Sequence, residues 1–390
     1  MQESVSLAAM AAPHQKFTNP IAQEGTAGPG DASRLTIDLG ALAGNWRRLA
    51  RLAGPAETAA AVKGDGYGIG LEAAGAALDR AGCLTFFVAV PSEGLRLRRV
   101  LPRATIYVLN GLTADSANAL AAAGLRPVIG SLEEWREWSA WRADGGQGEA
   151  ALHIDTGMNR LGLTADEAQS VAATDWRQQG LALVISHLAC ADTPTHALNQ
   201  LQLERFRAAA GLFAGLPASL ANSAGIHSGP DYRFDLVRPG IALYGGVFRE
   251  GVAPLDVVAT VEAQVLQVRD VPAGEPIGYG AAETVKRPSR VAILCVGYAD
   301  GYPRAASSTD ARPGASVFLH GKRAPLLGRI SMDLMAIDVT DIPAARRGDW
   351  AELFGPNIAV DEVAGFAGTI GYELLTSLGG RYQRRYTGGA

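Results

Sequence analysis

The chain has 390 residues, of which 48% are hydrophobic and 19% are charged. This length suits two domains, or one large barrel with an appendage, and the composition is that of an ordinary folded protein. The formal charge is −4, and no run of lysine or arginine occurs, which argues against nucleic acid as a partner. No apolar run reaches the roughly 18 residues that a membrane span requires, so we expect no membrane segment.

The three cysteines, Cys83, Cys190 and Cys295, are widely spaced and odd in number. This usage is typical of a reducing compartment and indicates neither a disulfide framework nor a zinc site. The N-terminus also lacks the positively charged segment of a signal peptide. We therefore expect a cytoplasmic protein without a metal site.

Residues 1–33 are rich in Gly, Pro, Ser, Gln and Ala and show no hydrophobic periodicity. Such a composition predicts a flexible N-terminal extension.

Residues 34–258 alternate between apolar runs of strand length and segments whose apolar residues recur at helical spacing. The eight runs are TAAAVK, LTFFVAV, TIYVLNG, LRPVIG, EAALHID, LALVISHL, PASLANS and FDLVRPGIALYGG. Eight alternating units over about 210 residues predict an α/β fold, a (β/α)8 TIM barrel. A doubly wound open sheet is the alternative, but polar residues follow several different strands here, whereas an open sheet concentrates them at one switch point.

Residues 259–390 have a different pattern, because β-branched runs follow one another with few helical segments between them. We predict a second, mostly β C-terminal domain here.

Lys63 ends the first predicted barrel strand, in the stretch AAAVKGDGYGIG at 59–70. Most lysines are simply solvated, and position alone favours that reading. In a TIM barrel, however, the active site lies at the C-terminal ends of the strands, so the Lys63 amine would face a ligand.

Eight motifs, in order along about residues 34–385, resemble those of the alanine racemases. They are KGDGYG at 63–68, DTGMNRLG at 155–162, SHLACAD at 186–192, ANSAG at 221–225, RPGIALYGG at 238–246, VGYADGYPR at 296–304, GRISMDLMAIDVT at 328–340 and GYELLTSLG at 371–379. One such motif alone is a weak signal, whereas eight in the same order are a strong one.

The resemblance implies the cofactor pyridoxal 5'-phosphate, bound covalently by Lys63. It also implies a set of residues around the cofactor phosphate, where glycines let the main chain approach closely. These are Tyr67, Ser223 and Tyr372, together with the backbone of Gly240 and Ile241.

Arg238 matches the family arginine that faces the pyridine nitrogen of the cofactor. A guanidinium remains protonated and cannot accept a hydrogen bond, so it disfavours protonation of the ring and weakens its pull on electrons. This suits a racemase, since a carboxylate there would favour other reactions. His187 resembles the histidine that links Arg238 to a catalytic tyrosine; taken alone, it would be a satisfied core imidazole.

Racemisation needs one group to remove the α-proton and another to deliver a proton to the opposite face. The resemblance implies Lys63 and Tyr298 as these two groups. It further implies that Arg160 and the Met332 N–H bind the substrate carboxylate, and that Tyr298 acts in the active site of a partner chain, so that the protein is a homodimer. The sequence itself leaves an approach within one chain open.

Some positions depart from the family pattern. His153 stands where many members have a carbamylated lysine, so it either accepts from Arg160 or, if charged, weakens it. Ile69 replaces a histidine, and Gly64 and Gly66 replace alanines, which predicts a looser turn.

The function expected from the resemblance is the interconversion of L- and D-alanine, which supplies D-alanine for peptidoglycan. Serine stays open as a substrate, because one methylene in a pocket is worth only about 1 to 3 kcal/mol. Two other readings stay open on the same barrel: a decarboxylase or D-amino acid aldolase, and a non-catalytic pyridoxal-phosphate carrier. The β-rich second domain argues against the carrier.

Overall fold

The structure, a computed structural model, describes residues 32–389, so residues 1–31 of the predicted extension lie outside the described part. The α-helical segments, numbered in chain order, are α1 (Leu39–Ala53), α2 (Lys63–Tyr67), α3 (Leu71–Ala81), α4 (Pro91–Val100), α5 (Ala117–Ala122), α6 (Leu132–Ala143), α7 (Ala165–Ala172), α8 (Leu198–Gly211), α9 (Val360–Ala367) and α10 (Gly371–Thr376).

The strands are β1 (Ser33–Asp38), β2 (Glu57–Thr58), β3 (Ala60–Ala61), β4 (Thr85–Val88), β5 (Thr105–Val108), β6 (Leu125–Ile129), β7 (Ala150–His153), β8 (Leu181–Ile185), β9 (Ala218–Ser219), β10 (Leu236–Val237), β11 (Ala259–Val271), β12 (Ser289–Leu294), β13 (Ser316–Leu319), β14 (Lys322–Leu327), β15 (Met335–Asp338), β16 (Trp350–Phe354) and β17 (Gln383–Thr387).

Strands β2 to β10 form a closed parallel barrel. Strands β3 to β9 lie side by side in chain order, and β10 pairs with β2, which continues into β3. The Ala59 N–H donates to Val237 O (3.0 Å) and the Arg238 N–H donates to Ala221 O (2.9 Å), so the eighth strand bonds to both the first and the seventh. The predicted (β/α)8 barrel followed by a mostly β domain is confirmed, and an open doubly wound sheet is wrong.

The helices depart from strict alternation at the end of the barrel. Between β9 and β10, a segment that the structure describes throughout, the chain makes the 3₁₀ turns Gly225–Ser228 and Pro230–Tyr232 rather than an α-helix. Helix α1, which precedes the barrel, packs against α3 and against the 3₁₀ turn Ile241–Tyr244 after β10. Helix α1, which precedes the first barrel strand, thus covers the outside of the barrel beside its eighth strand, β10.

The barrel interior has its own small core, to which alternate residues of the parallel strands contribute. The rings of Phe87 and Tyr107 stack there with centroids 5.0 Å apart. The Arg238 guanidinium lies 5.8 Å from the centroid of Phe87, at the C-terminal ends of the strands. This core fills the barrel interior, so the candidate site lies at the open end of the barrel.

The C-terminal part is a second closed sheet. β11 pairs with both β12 and β16, and β15, β14 and β13 complete the ring. β1, at the start of the described chain, also joins this sheet between β11 and β17.

The domain boundaries at 34–258 and 259–390 stay a prediction. Among the helices of residues 32–389, none is long and apolar enough to cross a membrane.

Candidate active site

The chain turns sharply after Lys63, at the C-terminal end of the first barrel strand. Gly64, Asp65, Gly66, Tyr67 and Gly68 all have φ between +52° and +82°, so α2 is a left-handed turn. In residues other than glycine, this backbone conformation costs about 1 to 2 kcal/mol. The glycines that replace family alanines at 64 and 66 therefore occupy positions that glycine adopts without strain.

The C-terminal part of the chain holds this turn in place. The Arg384 guanidinium donates to Gly68 O (2.8 Å), and the Tyr386 hydroxyl donates to Ile69 O (2.9 Å). A Cβ at Gly68 would collide with Leu375 O of α10. The Ile69 side chain is fully buried, so it packs the turn against the core where the family usually has a histidine.

The Lys63 amine is half-buried and has neither a hydrogen-bond nor an ion-pair partner within residues 32–389. Burial and the Arg160 guanidinium lower its pKa, Glu93 raises it, and Arg238 lowers it further. A lysine with a lowered pKa is more often an uncharged amine at neutral pH, which is the form that reacts with a carbonyl group or accepts a proton.

A candidate anion site lies at the start of the 3₁₀ turn Ile241–Tyr244. The buried Ser223 hydroxyl accepts from Gly240 N–H (2.9 Å) and Ala242 N–H (3.3 Å), so its own proton points elsewhere. The Ile241 N–H between them has no acceptor in the described part of the chain. A Ser hydroxyl and a free N–H at a helical N-terminus suit a phosphate, so these residues fit pyridoxal phosphate.

Two tyrosines border this anion site. Tyr67 stacks on Tyr244 with centroids 4.4 Å apart, and its centroid is 6.1 Å from that of Tyr372. A Cβ at Gly240 would collide with the Tyr67 hydroxyl. The main chain therefore approaches this hydroxyl closely because residue 240 is glycine. Burial raises the pKa of Tyr372 to about 12 and that of Tyr67 still further, so both keep their protons as donors.

Arg238 is a buried cation held by oxygen atoms at the strand ends. Its guanidinium donates to Ser219 O (2.8 Å), to the Ser219 hydroxyl and to Ser186 O. The Ser219 hydroxyl donates its own proton to Leu236 O (2.6 Å), so it must accept from Arg238. Burial lowers the pKa of Arg238 to about 10, which still leaves it charged at neutral pH.

The two histidines at the barrel mouth are neutral. Burial, Arg238 and Arg160 lower the pKa of His153 to about 4, against a weaker opposing effect of Asp155. Burial and Arg238 lower the pKa of His187 well below its usual value as well. Of the two readings of His153, the charged neighbour of Arg160 is therefore disfavoured. The positive charge at these strand ends therefore comes from Arg238 rather than from His187.

Arg160 lies on the loop after β7, which is organised by one carboxylate. Asp155 Oδ1 accepts the N–H groups of Gly157, Met158 and Asn159 at 2.9 to 3.1 Å. Arg160 is exposed and has no hydrogen-bond or ion-pair partner among the residues described. The planar guanidinium of Arg160 is therefore available to bind a carboxylate through two hydrogen bonds.

Tyr298 and Met332 lie together, but in the C-terminal part. The Tyr298 N–H donates to Ser331 O (3.1 Å), and the Ala299 N–H donates to Met332 O (3.0 Å). In residues 32–389 the Tyr298 ring contacts no other aromatic ring, and the Met332 N–H has no acceptor. Both side chains are exposed, at 42% for Tyr298 and 53% for Met332. The structure thus gathers the other predicted residues at the barrel mouth or beside it, and these two on a separate loop pair.

The family models described as "Alanine racemase, N-terminal domain" and "Alanine racemase, C-terminal domain" match residues 37–247 and 258–386. The chain belongs to the alanine racemase family. An alanine racemase of Methylobacterium sp. (strain 4-46) is 52% identical over 91% of this chain and 97% of its own length. A biosynthetic alanine racemase of Agrobacterium fabrum is 49% identical over 90% of this chain and 93% of its own length.

Solved structures of alanine racemases share the fold. The alanine racemase of Bartonella henselae, with covalently bound pyridoxal phosphate, is 39% identical, with a TM-score of 0.86 over 92% of this chain and 100% of the other. The biosynthetic enzyme of Pseudomonas aeruginosa is 36% identical, with a TM-score of 0.85 over the same shares.

Several residues that hold the predicted site together are not among those predicted from the sequence. Ser219 positions Arg238, and Glu93 binds the backbone of the lysine turn. Arg381 contacts both Asp300, next to the Tyr298 loop, and Asp333, next to Met332. Glu93 follows the predicted strand LTFFVAV, which is the one signal that could have found it. Ser219 lies inside the predicted run PASLANS, and neither Ser219 nor Arg381 has a comparable signal.

Proposed function

We propose that this chain is a pyridoxal-phosphate-dependent racemase that interconverts L- and D-alanine. The observation that carries this is the Lys63 amine at the open end of the barrel, which has no partner among residues 32–389 and whose pKa is lowered by burial and by the charges of Arg160 and Arg238. The close relatives named alanine racemase support the same reaction.

The cofactor is pyridoxal phosphate, as the family and the bound cofactor of its Bartonella member support. Lys63 would hold it covalently and Arg238 would face its pyridine nitrogen. When bound, it withdraws electrons from the substrate α-carbon and so makes the α-proton acidic. Its phosphate would be bound by Tyr67, Ser223, Tyr372 and the backbone at Gly240 and Ile241. Since the Gly240 N–H already donates to Ser223, the Ile241 N–H is the main-chain donor left for the phosphate.

The proton transfers need two groups on opposite faces of the substrate. The Lys63 amine, with its lowered pKa, accepts the proton on one face. The Tyr298 hydroxyl serves the other face in our proposal. Tyr279 competes for this role, because at 73% it is the most exposed tyrosine among the described residues and belongs to the same C-terminal part.

The substrate is a small amino acid, as the family supports. In our proposal its carboxylate is bound by the Arg160 guanidinium and by the Met332 N–H, which both lack a partner among residues 32–389. This contact fixes the α-carbon between the two proton-transferring groups.

We further propose a homodimer in which the C-terminal part of one chain completes the active site of the other. The exposed Tyr298 and Met332 support this arrangement, since exposed apolar clusters mark interaction surfaces. In a symmetric two-fold dimer the loop pair of each chain would lie at the barrel mouth of the other, so that two equivalent sites are completed. A supply of D-alanine for peptidoglycan and a location in the cytoplasm remain predictions, the first supported by the biosynthetic relative.

The test is exchange of the α-proton. Purified protein loaded with pyridoxal phosphate is incubated with L-alanine in deuterium oxide, and loss of the α-proton is followed by NMR while D-alanine is measured on a chiral column. We expect both to occur, and to be slower with L-serine. Absence of exchange and of D-alanine would contradict the proposed function.

Variants separate the two proton-transferring groups. Lys63→Ala should lose the cofactor's visible absorbance, whereas Tyr298→Phe should keep it and lose α-proton removal from L-alanine. Tyr279→Phe is the matched variant. If Tyr279→Phe stops exchange from L-alanine and Tyr298→Phe does not, Tyr279 is the second base and the assignment to Tyr298 is wrong.

A further inference from the structure

The turn that carries Lys63 is bound by a carboxylate from the neighbouring barrel unit. Glu93 lies in the first turn of α4, which follows β4. Its Oε1 accepts the Gly64 N–H (2.7 Å) and the Asp65 N–H (3.1 Å). Its Oε2 accepts the Ala89 N–H (2.9 Å) at the end of β4. One side chain therefore fixes the ends of two adjacent strands to each other.

Two of these three bonds satisfy backbone N–H groups of the lysine turn. Gly64 and Asp65 begin the left-handed turn, and their N–H groups have no main-chain acceptor in the described part of the chain. Asp65 is held a second time, by the Arg96 guanidinium (2.7 Å), which also pairs with Glu72 (2.6 Å). The turn is thus held from the α4 side by an anion on its N–H groups and a cation on its side chain.

Glu93 also balances the charges around the Lys63 amine. The charges of Arg160 and Arg238 disfavour the protonated form of this amine, the nearby His187 is neutral, and Glu93 is the carboxylate that favours the protonated form. The same carboxylate therefore acts on Lys63 in two ways, by its hydrogen bonds to the following residues and by its charge.

We propose that Glu93 is a positioning residue for Lys63, which fixes the backbone of Gly64 and Asp65 and thereby directs the amine to the cofactor. This inference rests on the proposed function, in which Lys63 binds pyridoxal phosphate.

The experiment measures how fast the apoprotein takes up pyridoxal phosphate, without any need for racemase activity. The cofactor is removed from wild type and from Glu93→Gln, and its return is followed by visible absorbance between pH 6 and 10. Borohydride reduction and peptide mass spectrometry then identify the labelled lysine. Glu133→Gln is the control, because Glu133 is an exposed acid in the first turn of another barrel helix.

We expect two changes in Glu93→Gln. The plateau rate at high pH falls at least tenfold, because a neutral amide offers one acceptor oxygen where the carboxylate offers two. The midpoint of the pH profile moves to lower pH, because loss of the carboxylate lowers the pKa of Lys63. A purely structural lesion would lower the rate without moving the midpoint. Glu133→Gln should match the wild type in both.

Glu93→Asp separates geometry from charge. It keeps the negative charge but is one methylene shorter, so the midpoint should return towards the wild-type value while the plateau stays low. This variant also tests the inference if Glu93→Gln does not fold. Wild-type profiles in either folded variant would overturn the role of Glu93. Labelling of a lysine other than Lys63 in the wild type would instead contradict the proposed function.

Discussion

The Arg381 guanidinium forms an ion pair with the Asp300 carboxylate, with Arg381 Nε and Asp300 Oδ1 3.0 Å apart. The other carboxylate oxygen of Asp300 accepts the Gly297 N–H (2.9 Å) directly before Tyr298. Arg381 also contacts Asp333, which follows Met332, at 2.8 Å. One arginine therefore holds the loop of Tyr298 and the loop of Met332 in a fixed relation.

Replacement of this arginine should loosen both loops at once. We expect Arg381→Gln to lower kcat/KM for alanine about tenfold, because displacement of a group that binds or reacts with substrate is costly. The affinity for pyridoxal phosphate should not change, since the proposed phosphate site lies elsewhere. Loss of the cation also leaves the buried Asp300 carboxylate unpaired, which costs about 1 to 3 kcal/mol of stability.

Arg346→Gln is the control for Arg381→Gln, because Arg346 also pairs with an aspartate but is largely exposed. Kinetics and cofactor titrations of the three proteins would check the prediction. Equal kcat/KM in wild type and Arg381→Gln would show that the ion pair does not position the loops.

Gly240→Ala should weaken cofactor binding. The new Cβ would collide with the Tyr67 hydroxyl and displace it from the anion site. We expect the Kd for pyridoxal phosphate to rise at least tenfold, measured by titration of the apoprotein. Gly211→Ala, whose Cβ would meet no atom within 4 Å, should leave the Kd unchanged. An unchanged Kd in Gly240→Ala would argue against a cofactor phosphate at this position.

Gly68→Ala should destabilise the protein more than Gly368→Ala. Both glycines have left-handed backbones, with φ of +82° and +72°. An alanine at 368 meets no atom within 4 Å and should cost about 1 kcal/mol, whereas one at 68 collides with Leu375 O. Urea unfolding of the two variants measures the difference. Equal losses would mean that α10 can move away from the lysine turn without cost.

Stability should fall as the pH decreases from about 6.5 towards 4. The pKa of His153 is about 4 in the folded protein, below its usual value of 6.5, so the unfolded chain binds a proton in this window and the folded chain does not. The free energy of unfolding then changes by at most about 1.4 kcal/mol per pH unit for this group. His187 acts in the same direction.

His153→Gln tests this prediction, since it removes the contribution of His153. Urea unfolding at pH 7, 6 and 5, at fixed concentrations of protein and pyridoxal phosphate, should show a flatter pH dependence than in the wild type. The exposed His196→Gln should keep the wild-type slope. If the slope of His153→Gln equals that of the wild type, His153 is not held in its neutral form by the fold.

The sequence by itself determined the class of fold and the family. Alternation of apolar runs and helical segments is a local pattern, and it was sufficient to predict the barrel, because eight parallel strands with helices between them close in few ways. The order of the eight motifs, from the turn at Lys63 to the helix at Tyr372, indicated the family. Neither inference needed a contact between distant residues.

The tertiary structure alone decided how the site is held. The bonds from Glu93 to Gly64, from Ser219 to Arg238 and from Arg381 to Asp300 join residues that are 19 or more positions apart. It also decided the charge of His153, because a pKa depends on burial and on charges such as Arg160 and Arg238 that only the fold brings near. Local sequence patterns indicate which face of a helix or strand is buried. They do not indicate which residues from distant parts of the chain contact that face.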